Sequence, residues 1–213
     1  MENDNRGRCS GTFQEGLSGR GEAEDQETWL RENAEIFDEA KTGKNALSVF
    51  PSGAESRVYL IDRKTVRKFR DYTISGYPPD EFLRMEIDQF NAYFPELPLE
   101  VIGISEDETT GFQFVIDQPL CPFPSLADYV LEKTEGLSRE EFMKCRNQTY
   151  EAIVTPYMEK KGLRSHGGFV YSTAYENDEV EFFDFHLKNI HYDPETGTVV
   201  VIDCNVELQE IDK

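Results

Sequence analysis

Positive charge is the scarcest property of this sequence: 22 Lys and Arg stand against 42 Asp and Glu in 213 residues, a formal net charge of −20. Binding to a phosphate backbone exchanges counterions for Lys and Arg, so the deficit argues against direct nucleic-acid binding. Long apolar runs are missing too. No stretch of 18 apolar residues exists, and "MENDNRGRCSGTFQEGLSGRGEAEDQE" lacks both the apolar core of a signal peptide and the Arg-rich, acid-poor character of a transit peptide. The expectation is an unanchored cytoplasmic chain with no membrane partner. Cysteine is sparse as well: Cys9, Cys121, Cys145 and Cys204 lie far apart, with no C-x-x-C pair and no histidine cluster nearby. That spacing suggests neither a disulfide framework nor a zinc site, and the four are read as free thiols.

What is present suffices for a core. Hydrophobic residues make up 38% and aromatics 12%, enough for one compact domain or two small lobes. Residues 1–26 carry only Phe13 and Leu17 as large apolar side chains, too few to offset the entropy of ordering, so this acidic, Gly-rich tail is expected to be disordered. From "ETWLRENAEIFDEAK", Trp29, Leu30, Ile36 and Phe37 recur at helical spacing and predict an amphipathic helix over 27–44.

Three short alternating segments follow, "ALSVF", "RVYLID" and "TVRKF", separated by "PSGAES" and "RKT", and read as consecutive antiparallel strands. "PDEFLRMEIDQFNAYF" opens with Pro and two acids and predicts a helix over 79–93. "LEVIGISEDETTGFQFVIDQPL" gives two more strands around an acidic turn. Helices are expected over 125–133 and 138–161, the second opened by a capping box of Ser138 and Glu141 and kinked or ended at Pro156. Short strands are expected near 169–172, 179–183, 190–192 and 199–202, with "SHGG" at 165–168 as a flexible turn. The class is α+β.

Chemistry concentrates in "FFDFHLKNIHYDPETGTVVVID". Asp184 and Asn189 flank a short turn, and Asp203 ends an apolar strand. Two carboxylates and an amide are hard oxygen donors suited to Mg²⁺ bound together with a polyphosphate. One acid can orient an attacking hydroxyl while the amide and the other acid hold metal. His186 within the turn is read as structural, and His166 and His191 are given no role.

In this pattern the chain resembles a protein kinase over residues 45–205. D-x-x-x-x-N runs from Asp184 to Asn189, and Asp203 stands where the D-F-G element has its metal-binding aspartate. "TVRKF" is similar to the third-strand motif V-A-I-K, with Lys68 as its lysine, and "PSGAESRVYL" takes the place of the glycine-rich loop. More narrowly, "SGAESRVYLID", "YFPELPLEVIGI", "VIDQPL", "DFHLKN" and the terminal "VVVID" resemble the kinase domain of polyvalent proteins, which occurs in large polypeptides of bacterial phages and mobile elements.

The resemblance implies a minimal two-lobed fold. Residues 45–117 would be an N-lobe with a five-stranded antiparallel sheet and one inserted helix, and 118–213 a short, mainly helical C-lobe with β-hairpins. It implies ATP and Mg²⁺ as cofactors. Asp184 would be the catalytic base, Asn189 and Asp203 the metal ligands, and Lys68 the phosphate contact. Glu86, 18 residues on, is the first choice to pair with Lys68, ahead of Glu81 and Asp88; Ser52 and Gly53 would cover the phosphates, and the backbone at Asp117 and Gln118 would meet adenine. The acceptor would be a protein or small-molecule hydroxyl.

The pattern also departs from the kinase one. Gly53 is the one glycine left in the loop, Phe182 and Phe183 replace His-Arg, and "DFG" is Asp203, Cys204, Asn205. With ten residues after Asp203, the expectation is a stand-alone copy without an activation segment. Two other functions fit the same sequence: a pseudokinase that binds nucleotide without transfer, and an acidic decoy that captures a basic host protein.

Overall fold

The structure is a computed structural model that describes residues 9–50, 56–107, 111–175 and 178–209. The chain divides into two compact units, Met1–Ala92 with Pro98–Leu120, and Tyr93–Leu97 with Cys121–Lys213.

In the first unit, β1 (Ser48–Val49), β2 (Ser56–Leu60), β3 (Thr65–Arg70), β4 (Glu100–Asp107) and β5 (Gly111–Pro119) form one antiparallel sheet in the order β1-β2-β3-β5-β4. The β2–β3 turn closes on Asp62, whose Oδ1 accepts the Lys64 amide at 2.7 Å, the local bond that makes Asp a turn residue. Directly opposed residues share a face. Val58, Lys68 and Ile116 therefore point to one side, and Tyr59, Arg67 and Asp117 to the other.

The first face packs on a continuous helix over 79–93. Its ends, α4 (Pro79–Phe82) and α5 (Phe90–Tyr93), are α-helical, and Leu83–Gln89 between them is π-helical. Pro79 sits where a missing N–H costs nothing. Phe82 stacks on Phe114 at 5.2 Å, and Tyr72 stands edge-on to Phe82, Phe112 and Phe114.

The N-terminal region departs from its sequence reading. Residues expected as a disordered tail form α1 (Cys9–Leu17) and begin α2 (Ala23–Asn33). Few apolar groups suffice because they pack closely: Leu17 and Leu30 are fully buried, Phe13 and Trp29 are half-buried, and Gly16 lies so close to the Trp29 ring that a Cβ there would be 2.0 Å away. The buried Gln26 side chain donates to the Arg20 carbonyl and accepts the Asp80 amide, tying α2 to the start of α4.

The single helix expected over 27–44 is two, α2 and α3 (Glu39–Asn45), with Asp38 capping the second. Between them the Phe37 amide donates to the Ile104 carbonyl and the Ile104 amide to the Glu35 carbonyl. Pairing with the edge of β4 outweighs local helical spacing here, because it satisfies backbone groups that an exposed edge would leave open.

Among the described residues the second unit holds α6 (Leu126–Lys133), α7 (Arg139–Lys160) and six strands, so it is not mainly helical. Ser138 and Glu141 form the expected capping box. Pro156 does not end α7, which runs on to Lys160. Pro156 and Ala152, whose carbonyl loses its donor, are both exposed, while the buried stripe is Tyr150, Val154 and Met158. Water can replace the lost bond.

Strands β6 (Arg164–Gly167), β7 (Val170–Tyr175), β8 (Asp178–Phe183) and β11 (Asn205–Gln209) form an antiparallel sheet in the order β11-β8-β7-β6. Neither β6 nor β11 was expected. Most of "SHGG" belongs to β6, and the turn is displaced to Gly167, Gly168 and Phe169, all with positive φ. The hairpin β9 (Ile190–Asp193) and β10 (Thr198–Val201) turns on Gly197 at φ +73°.

Candidate functional site

Lys68 is buried on β3, between Val58 and Ile116 on the neighbouring strands. Arg70, two residues on, shares its face, since side chains alternate along a strand. Glu86 projects from the π-helical stretch toward this face, and its Oε2 accepts from Arg70 Nη2 at 2.9 Å, the two side chains being 4% and 6% exposed. The sequence singled out Glu86 for Lys68 and overlooked Arg70. The available signal was "KFR", which puts two cations on one strand face within reach of the same helix. Glu81, a runner-up, pairs instead with Arg84 at 3.2 Å.

Asp117 and Gln118 lie inside the β5 ladder, opposite Arg67 and Val66. The Asp117 carboxylate receives both Arg67 Nε and Nη2, at 2.7 and 2.8 Å, and this bidentate bond holds the guanidinium pKa above its usual value. Arg67 also lies over the Phe37 ring at 4.8 Å. Gln118 is buried, and the next free amide, Leu120, donates to the Lys64 carbonyl. Ser52 and Gly53 fall outside the described residues.

In the second unit the polar residues of "DFHLKN" fold onto one another. Asp184 leaves β8 with φ +68°, a left-handed conformation that Asp tolerates better than most side chains. Its carbonyl accepts the His186 amide at 2.6 Å and Asn189 Nδ2 at 3.0 Å. Asn189 Nδ2 also reaches Asp184 Oδ2 at 3.2 Å, and the Asn189 amide donates to the His186 carbonyl at 2.8 Å. With its side-chain N–H groups committed to Asp184, Asn189 keeps Oδ1 as an acceptor.

Asp203 is brought to the same loop by the backbone on both sides of it. The Ile202 amide donates to the Asn189 carbonyl at 2.9 Å, and Asn205 is the register partner of Phe183, the residue before Asp184. Apolar neighbours root the loop: Phe182, Phe185 and Ile190 are fully buried, and Phe185 meets Phe94 and Tyr171 edge-on. His186 Nε2 lies 2.7 Å from Asp184 Oδ1. His166 bonds Ser172, and His191 bonds the Phe123 carbonyl, both away from this loop.

Among the described residues no three His, Cys, Asp or Glu side chains gather into a metal cage. A Mg²⁺ that shares its shell with phosphates needs fewer protein ligands, and the Asn189 Oδ1 and Asp203 carboxylate pair has the hard-oxygen chemistry for it. Among the same residues no helix is long and apolar enough to cross a membrane.

The family described as serine/threonine/tyrosine kinase found in polyvalent proteins matches this chain over residues 20–150, more than half its length. The chain belongs to that kinase family. The matched stretch takes in Lys68, Arg70, Glu86, Asp117 and Gln118 and ends before Asp184. No curated protein and no solved structure matches the chain. The match covers most of the unit that carries Lys68 and runs into the second unit as far as Tyr150; the loop of Asp184, Asn189 and Asp203 stands on its own geometry.

Proposed function

We propose that this protein transfers the γ-phosphoryl group of ATP, with Mg²⁺, to a hydroxyl acceptor, most simply one on a protein. The observation that carries the reading is the Asp184–Asn189 pair: an aspartate in left-handed conformation whose carbonyl and carboxylate both hold the amide of Asn189, in a chain of a kinase family. An unfavourable backbone conformation held by several bonds marks a place where orientation matters.

Asp184 accepts a hydrogen bond from the acceptor hydroxyl and takes its proton as the oxygen attacks the γ-phosphorus. The new O–P bond forms as the bond to the β–γ bridging oxygen breaks, and ADP departs with that electron pair. Asn189, through Oδ1, and Asp203 would hold the metal, which when bound neutralises charge on the phosphates. Lys68 contacts the phosphates as a compact point charge. Positioning and charge are nearly all the protein supplies in such a reaction.

A thermal-shift titration with ATP, with and without Mg²⁺, tests binding, since a ligand selective for the folded state raises the melting temperature by mass action. Transfer of label from γ-labelled ATP tests the chemistry. The metal-dependent shift should vanish in Asp203→Ala, and transfer should fall at least a hundredfold in Lys68→Ala and Asp203→Ala. Full activity in both variants would refute the assignment. A shift without transfer would make the protein a nucleotide-binding module instead.

A further inference from the structure

We propose that His186 is a positioning residue for Asp184, the second arm of a clamp whose first arm is Asn189. This rests on the reading of Asp184 as the group that orients the acceptor hydroxyl. The two carboxylate oxygens are engaged from different sides: Oδ2 by Asn189 Nδ2 at 3.2 Å and Oδ1 by His186 Nε2 at 2.7 Å. A carboxylate held at one oxygen can still swing about its terminal torsion, which is broad for Asp. Held at both, it presents its remaining lone pairs in one orientation, and each oxygen keeps a site for the incoming hydroxyl.

The imidazole is itself held in place. Its backbone amide donates to the Asp184 carbonyl, and its carbonyl accepts the Asn189 amide, so the residue is fixed between the two groups it serves. Its ring packs edge-on against Phe169 at 5.3 Å. Phe169 has a positive φ of 70° in the β6–β7 turn and lies under the Arg146 guanidinium of α7 at 5.9 Å. A bulky residue in that region is costly and persists where its surroundings hold it there. The turn, α7 and the loop thus set the direction from which Nε2 meets Asp184.

The His186 side chain is 61% exposed, so replacing it leaves the core intact. His186→Phe keeps a ring against Phe169 and removes the N–H. His186→Gln places an amide N–H at a similar reach. With γ-labelled ATP and Mg²⁺, following label to the chain itself and to water, the Phe variant should lose at least tenfold in kcat. Its KM for ATP should stay within twofold, because orientation of the attacking group is realised in the transition state. The Gln variant should keep at least a third of kcat. Wild-type kcat in the Phe variant, or equal losses in both, would overturn the clamp.

A second readout separates this idea from the phosphoryl-transfer reading. The chain has three histidines, so their ¹⁵N signals are easily assigned. Asp184→Ala should move the His186 imidazole resonances and leave those of His166 and His191 in place. If wild type transfers no label, the transfer reading fails and this spectrum alone decides the clamp: an unmoved His186 refutes it, and a moved one upholds it.

Discussion

Arg70→Met would take the Arg70 guanidinium away from the buried Glu86 carboxylate in the interior of the first unit. The two charges sit 2.9 Å apart with side chains only 6% and 4% exposed. At an effective dielectric of about 20, unit charges this close attract by roughly 6 kcal/mol. Withdrawing both from water cancels much of that gain. Removing Arg70 forfeits its charge-assisted hydrogen bond while Glu86 stays buried, so the single variant is expected to lose about 1.5–3 kcal/mol. Arg70→Met with Glu86→Leu removes both charges and should recover to within about 1–2 kcal/mol of wild type, since well-packed apolar replacements for a buried pair are often neutral. Urea unfolding followed by the fluorescence of Trp29, the single tryptophan and a residue of the same unit, measures each corner of the cycle. A loss below about 1 kcal/mol in Arg70→Met would show that the pair is not structural, and so would a double variant as unstable as the single one.

Two further perturbations probe the scaffold. In Gly103→Ala the new Cβ would stand 2.2 Å from the Glu35 carbonyl oxygen and 2.6 Å from the Phe37 ring. The variant should cost about 2–3 kcal/mol and speed hydrogen exchange at the Phe37 and Ile104 amides; unchanged protection would mean that 35–37 does not cover β4. His191 is half-buried, with Nδ1 on the Phe123 carbonyl, and burial holds its pKa below the ordinary 6.5. The unfolded chain then takes up the proton first, so this contribution to stability is complete above about pH 6.5 and is lost as pH falls through the folded value. His191→Gln should therefore flatten the stability profile between pH 7 and 5, and an identical slope would refute that account.

The periodic elements were legible because each carries its reason within itself. β3 buries Val66, Lys68 and Arg70 at the alternation its sequence shows, the helix over 79–93 buries Phe82, Met85 and Phe90, and the capping box of α7 lies within four residues. The elements missed are those whose reason lies elsewhere in the chain. α1 orders because Leu17 and Gly16 meet surfaces made by distant residues, among them Trp29. Residues 34–38 leave the helix because β4 offers them an edge. β6 is exposed at every position, and polar strands of that kind have no apolar alternation to announce them.

The same distinction runs through the candidate site. The nearness of Asp184, Asn189 and Asp203 along the chain was readable because it is local: the Asn189 amide reaches back five residues, and one hairpin separates Asn189 from Asp203. Charge pairing across the first unit was not readable to the same depth. Glu86 is named for Lys68 from its distance along the chain, whereas its bond to Arg70 depends on how far along the strand the helix sits, which spacing does not give. The π-helical stretch that carries Glu86 adds one residue per turn to that uncertainty. Helical spacing fixes angle well and axial offset poorly, so sequence reading identifies which groups share a layer before it identifies which of them touch.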